Sequence, residues 1–182
     1  MSSKSSASEI DLLLFLLDQG YDKKAWHGPN LRGAIRRISA TQAAWRPGPK
    51  RRSIAEIVVH SAYWKYAVRR RLRGDKRGSF PIKGSNWFAL PDPLGEEDWR
   101  GYLALLDAQH RELRQVVAAY PAKRLYEPSP GSKYTAAGLV TGIAAHDIYH
   151  AGQIQILKKL QATVEEPPEW RAVPGWNRAG RD

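Results

Sequence analysis

Four of the five histidines stand at positions that otherwise carry the apolar residues of predicted helices, namely His60, His110, His146 and His150. A single histidine at such a position is more often a hydrogen-bonded core residue than a ligand. Burying an imidazole without a partner costs about 1–3 kcal/mol, and a ligand shared by several imidazoles would offset that cost for all of them. The clustering therefore favours a shared ligand over separate core contacts.

His146 and His150 are four residues apart, so on a helix both rings project from one face, one turn apart. A helix gives two nitrogens to one metal at this spacing, although such pairs also arise by chance. His60, on the helix expected to face them, would complete a three-nitrogen site with an open position. Neutral imidazole suits zinc, nickel, copper or iron rather than magnesium or calcium. A hydrolytic or Lewis-acid metal centre requires such an open position.

Two polar neighbours on the same predicted helix have two interpretations each. Gln153 shares the face of the histidine pair, where it would hydrogen-bond a metal-bound water or make a polar contact in the core. Asp147 is turned about 100° away from His146. This favours a salt bridge at the surface or between helices, with support of a metal ligand as the alternative. No Glu lies between the two histidines, so the zinc-protease pattern is missing.

The composition limits the chemistry and the setting. The chain of 182 residues contains no Cys, which excludes disulfides, thiolate zinc sites, iron–sulfur clusters and a cysteine nucleophile. Its 42% of hydrophobic and 26% of charged residues are typical of one globular domain rather than of a disordered chain. We find no apolar run of the roughly 20 residues that a membrane span needs and no signal peptide. We therefore expect a cytoplasmic protein.

Most of the net charge of +11 lies in one segment. Residues 46–83 hold twelve Lys or Arg and two acidic residues, a net +10. Such a segment can bind nucleic acid or another polyanion, or it can be a solvated helix end and loop. No helix-turn-helix, zinc finger, RNP motif or phosphate loop accompanies it. We therefore rank nucleic acid below a small-molecule substrate as a partner, and assign any such contact to Arg69–Arg77.

Apolar residues at alternating spacings of three and four predict four helical segments, with no competing strand pattern. The first runs from about residue 8 to 21 and, after a break at residues 26–29, resumes from about 31 to 39. The second begins at a capping box, Ser53 to Glu56, and runs to about 74. The third and fourth span about 95–120 and 135–161. The predicted fold class is therefore all-α, a four-helix bundle.

The connections indicate how the helices are ordered. A link over residues 75–94 is long enough to follow a helix of about 22 residues, or about 33 Å, so the second and third helices could be parallel. Its aromatic residues indicate that it packs, over one end of the bundle. We assign residues 1–162 to the bundle domain and 163–182 to a Pro/Gly-rich tail. Trp170 and Trp176 suggest that this tail packs on the bundle.

His27 is the one histidine outside a helical face. It lies between Trp26 and Gly28-Pro29, where the first helix is broken and the backbone can turn toward the end of the bundle. Breaks of this kind often shape a pocket. We therefore place Trp26 and His27 at the mouth of the metal pocket, as substrate contacts rather than metal ligands. The alternative is a packed Trp anchor with an exposed His beside it.

The run from His146 to Ile154, together with His60 in its capped Ser-Ile-Ala-Glu context, resembles the DinB/YfiT-like superfamily. The resemblance covers about residues 10–161. It implies a four-helix bundle with up-down-down-up topology and a long crossover between helices two and three. It also implies a divalent metal held by His60, His146 and His150. His110 matches none of these ligands and is expected to be structural or to support a ligand.

Members of this family with known activity include S-transferases that use bacillithiol or glutathione, and mycothiol-dependent isomerases share the fold. The resemblance therefore implies a metal-dependent transferase or hydrolase that activates an external low-molecular-weight thiol or a water. Zinc and nickel are the preferred metals, with iron third. The alternative is a non-catalytic stress or binding protein with a structural metal and a basic patch for nucleic acid or acidic partners. The substrate stays open, and a homodimer is compatible with the sequence.

Overall fold

The computed structural model describes residues 3–78 and 80–165, with side chains described over 9–78 and 80–164. This part of the chain contains helices and no β-strand, which confirms the predicted all-α class. The helices are α1 (Ser3–Tyr21), α2 (Leu31–Ala34), α3 (Ala40–Ala44), α4 (Ile54–Arg73), α5 (Glu96–Ala118), a 3₁₀ turn (Ala122–Arg124) and α6 (Ala136–Glu165).

The four long helices pack in a ring in which α1 contacts α5 and α6, and α4 contacts the same two helices. Residue pairs across these contacts make α4 parallel to α5 and antiparallel to α6, and make α1 antiparallel to α5. These directions are consistent with the predicted up-down-down-up order. Helices α1 and α5 are joined by the pairs Asp18–Arg114 and Tyr21–Asp107. Helices α4 and α5 are joined by Lys65–His110 and Arg69–Glu112, and helices α4 and α6 by His60–His150 and Lys65–Asp147.

The bundle has two apolar clusters, one toward each end. The first contains Leu31, Ile54, Trp99 and Ile154, and the second contains Leu17, Leu113 and Val140 among others. Burying each large apolar side chain stabilises the fold by about 1.5–3 kcal/mol. The short helices α2 and α3 cover the first cluster, which closes that end of the bundle.

The prediction of a continuous helix over residues 31–39 is wrong. The chain leaves the helix after Ala34, because Arg37 adopts a left-handed backbone with φ of 62°. A second helix then begins at Ser39, whose side chain and that of Gln42 form a capping box. This local cap satisfies free amides that a continued helix would have used internally.

Helix α4 starts as predicted, at a capping box between Ser53 and Glu56. The Ser53 hydroxyl accepts a hydrogen bond from the Glu56 amide, and the Glu56 carboxylate accepts one from the Ser53 amide. Arg46 and Arg52 also pair with this carboxylate. The helix start is therefore held on both sides, one to two turns before His60.

The link between α4 and α5, residues 74–95, lies along α4 rather than over an end of the bundle. Phe80 and Phe88 pack on Tyr63, and Phe80 also contacts Tyr66. These tyrosines lie in the middle of α4, so the aromatic residues hold the link beside the helix. We call this link, residues 74–95, the crossover.

The predicted C-terminal tail falls mainly outside the described residues. Residues 163–165 continue α6, and the packing predicted for residues 166–182 concerns residues outside the described part of the chain. Among the described residues, no helix combines the length and apolar character needed to cross a membrane.

Candidate metal centre

Three histidine side chains meet between α4 and α6. The Nε2 atom of His146 lies 3.1 Å from Nε2 of His60 and 3.1 Å from Nε2 of His150. All three potential ligand atoms lie within 4.8 Å of one another. The antiparallel packing of the two helices brings His60 opposite the turn that separates His146 from His150. The structure thus brings together the three residues that the sequence singled out as ligands.

The spacing of these nitrogens fits a shared metal ion. Two nitrogens about 2.1 Å from one ion, at octahedral or tetrahedral angles, lie about 3.0–3.4 Å apart. His60 Nδ1 donates its hydrogen to the backbone oxygen of Asn86 at 2.8 Å, which leaves a lone pair on Nε2. A cation would satisfy lone pairs that otherwise face one another in a buried site.

The tautomer of His150 is also set by its hydrogen-bond partner. Its Nδ1 donates to the side-chain oxygen of Gln153 at 2.7 Å, and the Gln153 amide donates in turn to the Tyr149 hydroxyl at 2.9 Å. The His150 Nε2 lone pair therefore points at His146. A single Nε2–H on His146 could serve only one of its two neighbours, so the cluster has more acceptors than donors.

Burial keeps these imidazoles neutral. It lowers the pKa of His146 to about 3 and that of His150 to about 4. Burial also lowers the pKa of His60, although its hydrogen bond to Asn86 opposes the effect. Because only a neutral imidazole can bind a metal, these shifts leave all three residues ready to ligate at neutral pH.

The crossover supplies contacts that sequence reasoning missed. Besides the Asn86 backbone oxygen, the Trp87 ring stacks on His60 with centroids 3.9 Å apart and planes 11° from parallel. Asn86 has a left-handed backbone with φ of 64°, a conformation that Asn tolerates better than most residues. The sequence offered only this weak signal, an Asn in a long loop, 26 residues from the histidine that it contacts.

A cavity of about 480 Å³ opens above the three histidines. Its walls are apolar on the side of Trp87, Ile156 and Leu157, while Tyr149 and Gln153 provide polar groups. Cationic side chains form the rim, and no Asp or Glu of the described residues lines the cavity. The cationic residues are Lys50, Arg51 and Arg52, the last of which lies over the Trp87 ring at 4.6 Å.

The three predicted pocket residues have different positions. Gln153 lines the cavity. Trp26 and His27 do not, since both are exposed, Trp26 to 99%, and neither belongs to the lining. The loop after α1 closes on itself because Asn30 bonds the backbone oxygen of Lys23 and caps α2. This local closure leaves Trp26 in solvent, so it is not a packed anchor either.

The match to a known family agrees with this arrangement. The model of the DinB superfamily matches residues 25–154, which is more than two thirds of the chain and includes all three histidines. The chain belongs to the DinB superfamily. No curated protein and no solved structure matches it. The family, the helical fold and the three-histidine cluster thus agree with the resemblance seen in the sequence.

His110, the fourth histidine on a helical face, lies outside the three-histidine cluster of this DinB-superfamily protein. The His110 ring stacks on Tyr21 with centroids 3.8 Å apart, and its Nδ1 lies 3.5 Å from the Lys65 ammonium. Lys65 also forms a fully buried ion pair with Asp147. Asp147 therefore makes the inter-helix salt bridge expected for it, in the core rather than at the surface.

The basic segment of the DinB-superfamily protein is divided among several places. Arg46 and Arg52 pair with Glu56, and Arg69 pairs with Glu112. Other cations line two separate cavities, one on each side of His60 and Trp64. The cations thus do not form one continuous stripe along a helix.

Proposed function

We propose that this protein is a metal-dependent enzyme that acts on a small molecule bound above the three histidines. One observation carries the proposal: three neutral imidazoles converge at the floor of a cavity. The described lining of this cavity contains no Asp or Glu that could serve as a fourth ligand. A metal held by these three residues would have no fourth protein ligand, which would leave a coordination position for substrate, thiol or water. Catalytic metal sites have this arrangement, whereas structural sites are closed by four protein ligands.

His60, His146 and His150 would hold the metal. Imidazole donors favour zinc or nickel, with iron as the third candidate. A metal in this position supplies Lewis-acid chemistry by lowering the pKa of a thiol or of water. Any thiol must come from outside, because the chain has no Cys. We therefore propose a transferase that uses an external low-molecular-weight thiol, or a hydrolase that uses water.

The residues around the cavity would bind and orient the substrate. The Trp87, Ile156 and Leu157 side chains offer an apolar surface, and the rim offers positive charge at Lys50 and Arg51. A concentration of cations without acidic neighbours attracts anionic groups. The substrate or the thiol co-substrate would thus carry an acidic group that faces the rim and a less polar part that faces Trp87.

The first test is metal content, measured by mass spectrometry on protein purified without a nickel column. We expect about one equivalent of divalent metal, and less than about a tenth of that in His146→Ala or His150→Ala. His27→Ala, at an exposed position, is the control and should keep the full content. Full occupancy in His146→Ala would overturn the proposed ligand set.

The second test is activity. The metal-loaded protein is screened with low-molecular-weight thiols and electrophilic substrates, and with ester and amide substrates for hydrolysis. Turnover that disappears with the metal and returns when the metal is restored would support an enzyme. A protein that binds its metal but turns over neither class would favour the alternative, a binding protein with a structural metal.

A further inference from the structure

We propose that the protein has a second binding site, for a small phosphorylated aromatic compound such as a nucleoside monophosphate. The site is a cavity between α4 and the crossover, and we call it the crossover pocket. It is separate from the cavity above the three histidines, which we call the metal cavity, and it does not depend on the proposed enzyme function. Its lining includes Tyr63, Trp64, Arg70, Arg71, Arg77 and Lys83.

The crossover pocket has the size of a small-molecule site. Its volume is about 480 Å³, within the range of about 300–1,000 Å³ that is usual for ligand pockets. Its inner wall is formed by Tyr63 and Trp64, and Phe80 lies on the crossover side. The packing of Phe80 against Tyr63 and Phe88, at centroid distances of 5.3 Å each, holds the two walls together.

The charge of the pocket is strongly positive. Four cationic side chains line it, and no Asp or Glu of the described residues does. None of the four forms an ion pair within the described residues, since the nearby Asp75 carboxylate pairs with Arg73 instead. The Arg70 guanidinium donates to the backbone oxygen of Asp75, its one hydrogen-bond acceptor among the described residues.

Uncompensated cations around a concave surface favour an anionic ligand. They raise the local concentration of anions, and the low dielectric of the walls strengthens the attraction. Three of the four are arginines, whose planar guanidinium groups match the geometry of phosphate oxygens. A phosphate is therefore the anionic group that this pocket fits best.

The aromatic wall favours a planar ligand beside the phosphate. Tyr63 and Trp64 are half-buried, so part of each ring is available to a ligand. The Arg71 guanidinium lies over the Trp64 ring, 5.9 Å from the ring centroid, so a cation and an aromatic ring are close together in the pocket. Ring stacking contributes about 0.5–1.5 kcal/mol beyond burial. The pocket thus offers separate contacts for the base and for the phosphate of a nucleotide.

The crossover pocket shares a wall with the metal centre. The Trp64 ring lies edge-on to His60 and His146, at centroid distances of 6.3 and 6.4 Å. The Trp64 indole donates to the Asn86 side chain at 3.1 Å, and the Asn86 backbone oxygen accepts from His60. A ligand in the crossover pocket would therefore contact Trp64 and Asn86, two residues that also contact the histidines.

The test is isothermal titration calorimetry on the full-length protein with adenosine monophosphate, adenosine and inorganic phosphate. We expect adenosine monophosphate to bind at least tenfold more tightly than adenosine or inorganic phosphate alone. Arg77→Gln/Lys83→Gln should weaken its binding at least tenfold. The matched control, Lys76→Gln/Lys123→Gln, removes the same charge at exposed positions outside the pocket and should change affinity less than twofold.

A second pair of variants covers the case in which the first double variant misfolds. Lys83→Glu should abolish detectable binding, and Lys76→Glu should leave it within about threefold of the wild type. Circular dichroism shows whether each variant keeps its helical fold.

Four results would overturn the proposal. The first is the absence of binding at millimolar adenosine monophosphate. The second is equal weakening in the pocket variants and their controls, and the third is tighter binding of a single-stranded oligonucleotide than of the monophosphate, because either would point to an unspecific polyanion surface. The fourth is unchanged affinity in the Arg77→Gln/Lys83→Gln protein, because the ligand would then bind elsewhere, such as above the three histidines.

Discussion

The orientations of the His60 and His150 imidazoles depend on the hydrogen bonds made by their Nδ1 atoms. For His150 this bond goes to Gln153, one turn further along α6, and Tyr149 holds the Gln153 amide in turn. Contacts of this kind fix the tautomer and raise the basicity of the ligand nitrogen. Gln153 was predicted from its helical face, but its partner is a histidine rather than the metal-bound water that one interpretation suggested.

We expect Gln153→Met to lower metal affinity by about 10- to 100-fold, the usual effect of removing such a contact. Methionine keeps the length of the side chain but cannot accept the hydrogen bond from His150. Competition with a chromophoric chelator measures the affinity. Gln155→Met, on the same helix and outside the metal cavity, should bind metal as the wild type does. An equal loss in both variants would contradict the role of Gln153.

His110 is a buried histidine that is held in its neutral form. Burial, and next the charge of Lys65, lower the pKa of His110 to about 2. In the unfolded chain the same group takes up a proton near pH 6.5. The unfolded state therefore binds more protons below pH 6.5, and this residue's contribution makes the folded state less stable as the pH falls.

We expect His110→Gln to flatten the acid side of the stability profile by about 1.4 kcal/mol per pH unit between about pH 6 and 4, the value for one proton. Urea denaturation at several pH values, on protein freed of metal by chelation so that metal release adds nothing, gives the two profiles. Wild-type and variant curves that stay parallel over this range would contradict the prediction.

At the scale of the helices, α1 and α6 approach closely at Gly20. A Cβ atom at this position would lie 2.8 Å from the backbone oxygen of Ala144, which is shorter than any real contact of this kind. The backbone of α6 cannot give way as a flexible side chain could. This contact lies two residues before His146, so the spacing of α1 and α6 bears on the position of the metal centre.

We expect Gly20→Ala to destabilise the protein by about 1–3 kcal/mol, the usual effect of overpacking, despite the better helix propensity of alanine. The control is Gly101→Ala in α5, where no atom lies within 4 Å of the added Cβ. That change should stabilise the protein by up to about 1 kcal/mol. Thermal unfolding followed by circular dichroism measures both, and shifts of the same sign would disprove the argument.

At the scale of the whole molecule, one buried cluster of four polar side chains joins all four long helices. Tyr21 from α1 stacks on His110 from α5, and Lys65 from α4 lies 4.7 Å from the Tyr21 ring centroid. Lys65 then pairs with Asp147 from α6, next to a metal-centre histidine. Lys65 and Asp147 are fully buried. Such a group constrains how the helices are arranged, because each charge is costly without its partner.

We expect Lys65→Met to destabilise the protein by about 3–5 kcal/mol, because it leaves the Asp147 charge buried without compensation. The double variant Lys65→Met/Asp147→Leu removes both charges and should regain most of that loss. Urea denaturation of the two single variants and the double variant gives the coupling energy. Additive losses would show that the two residues stabilise the fold independently.

The sequence by itself determined those features that depend on neighbours along the chain. Helix periodicity, the capping box at Ser53 and the placement of His146 and His150 on one face follow from local geometry. The third histidine of the cluster, His60, could be chosen because it lies on a predicted apolar face and in a context that resembles the DinB superfamily.

Only the tertiary structure decided which distant residues meet. The crossover could have covered an end of the bundle, but its aromatic residues pack along α4 and bring Asn86 and Trp87 to His60. The loop that carries Trp26 and His27 is closed locally by Asn30, so neither residue lines the cavity above the three histidines. A helix repeats its geometry with every turn, whereas the path of a loop depends on the sum of many weak contacts between residues far apart in the chain.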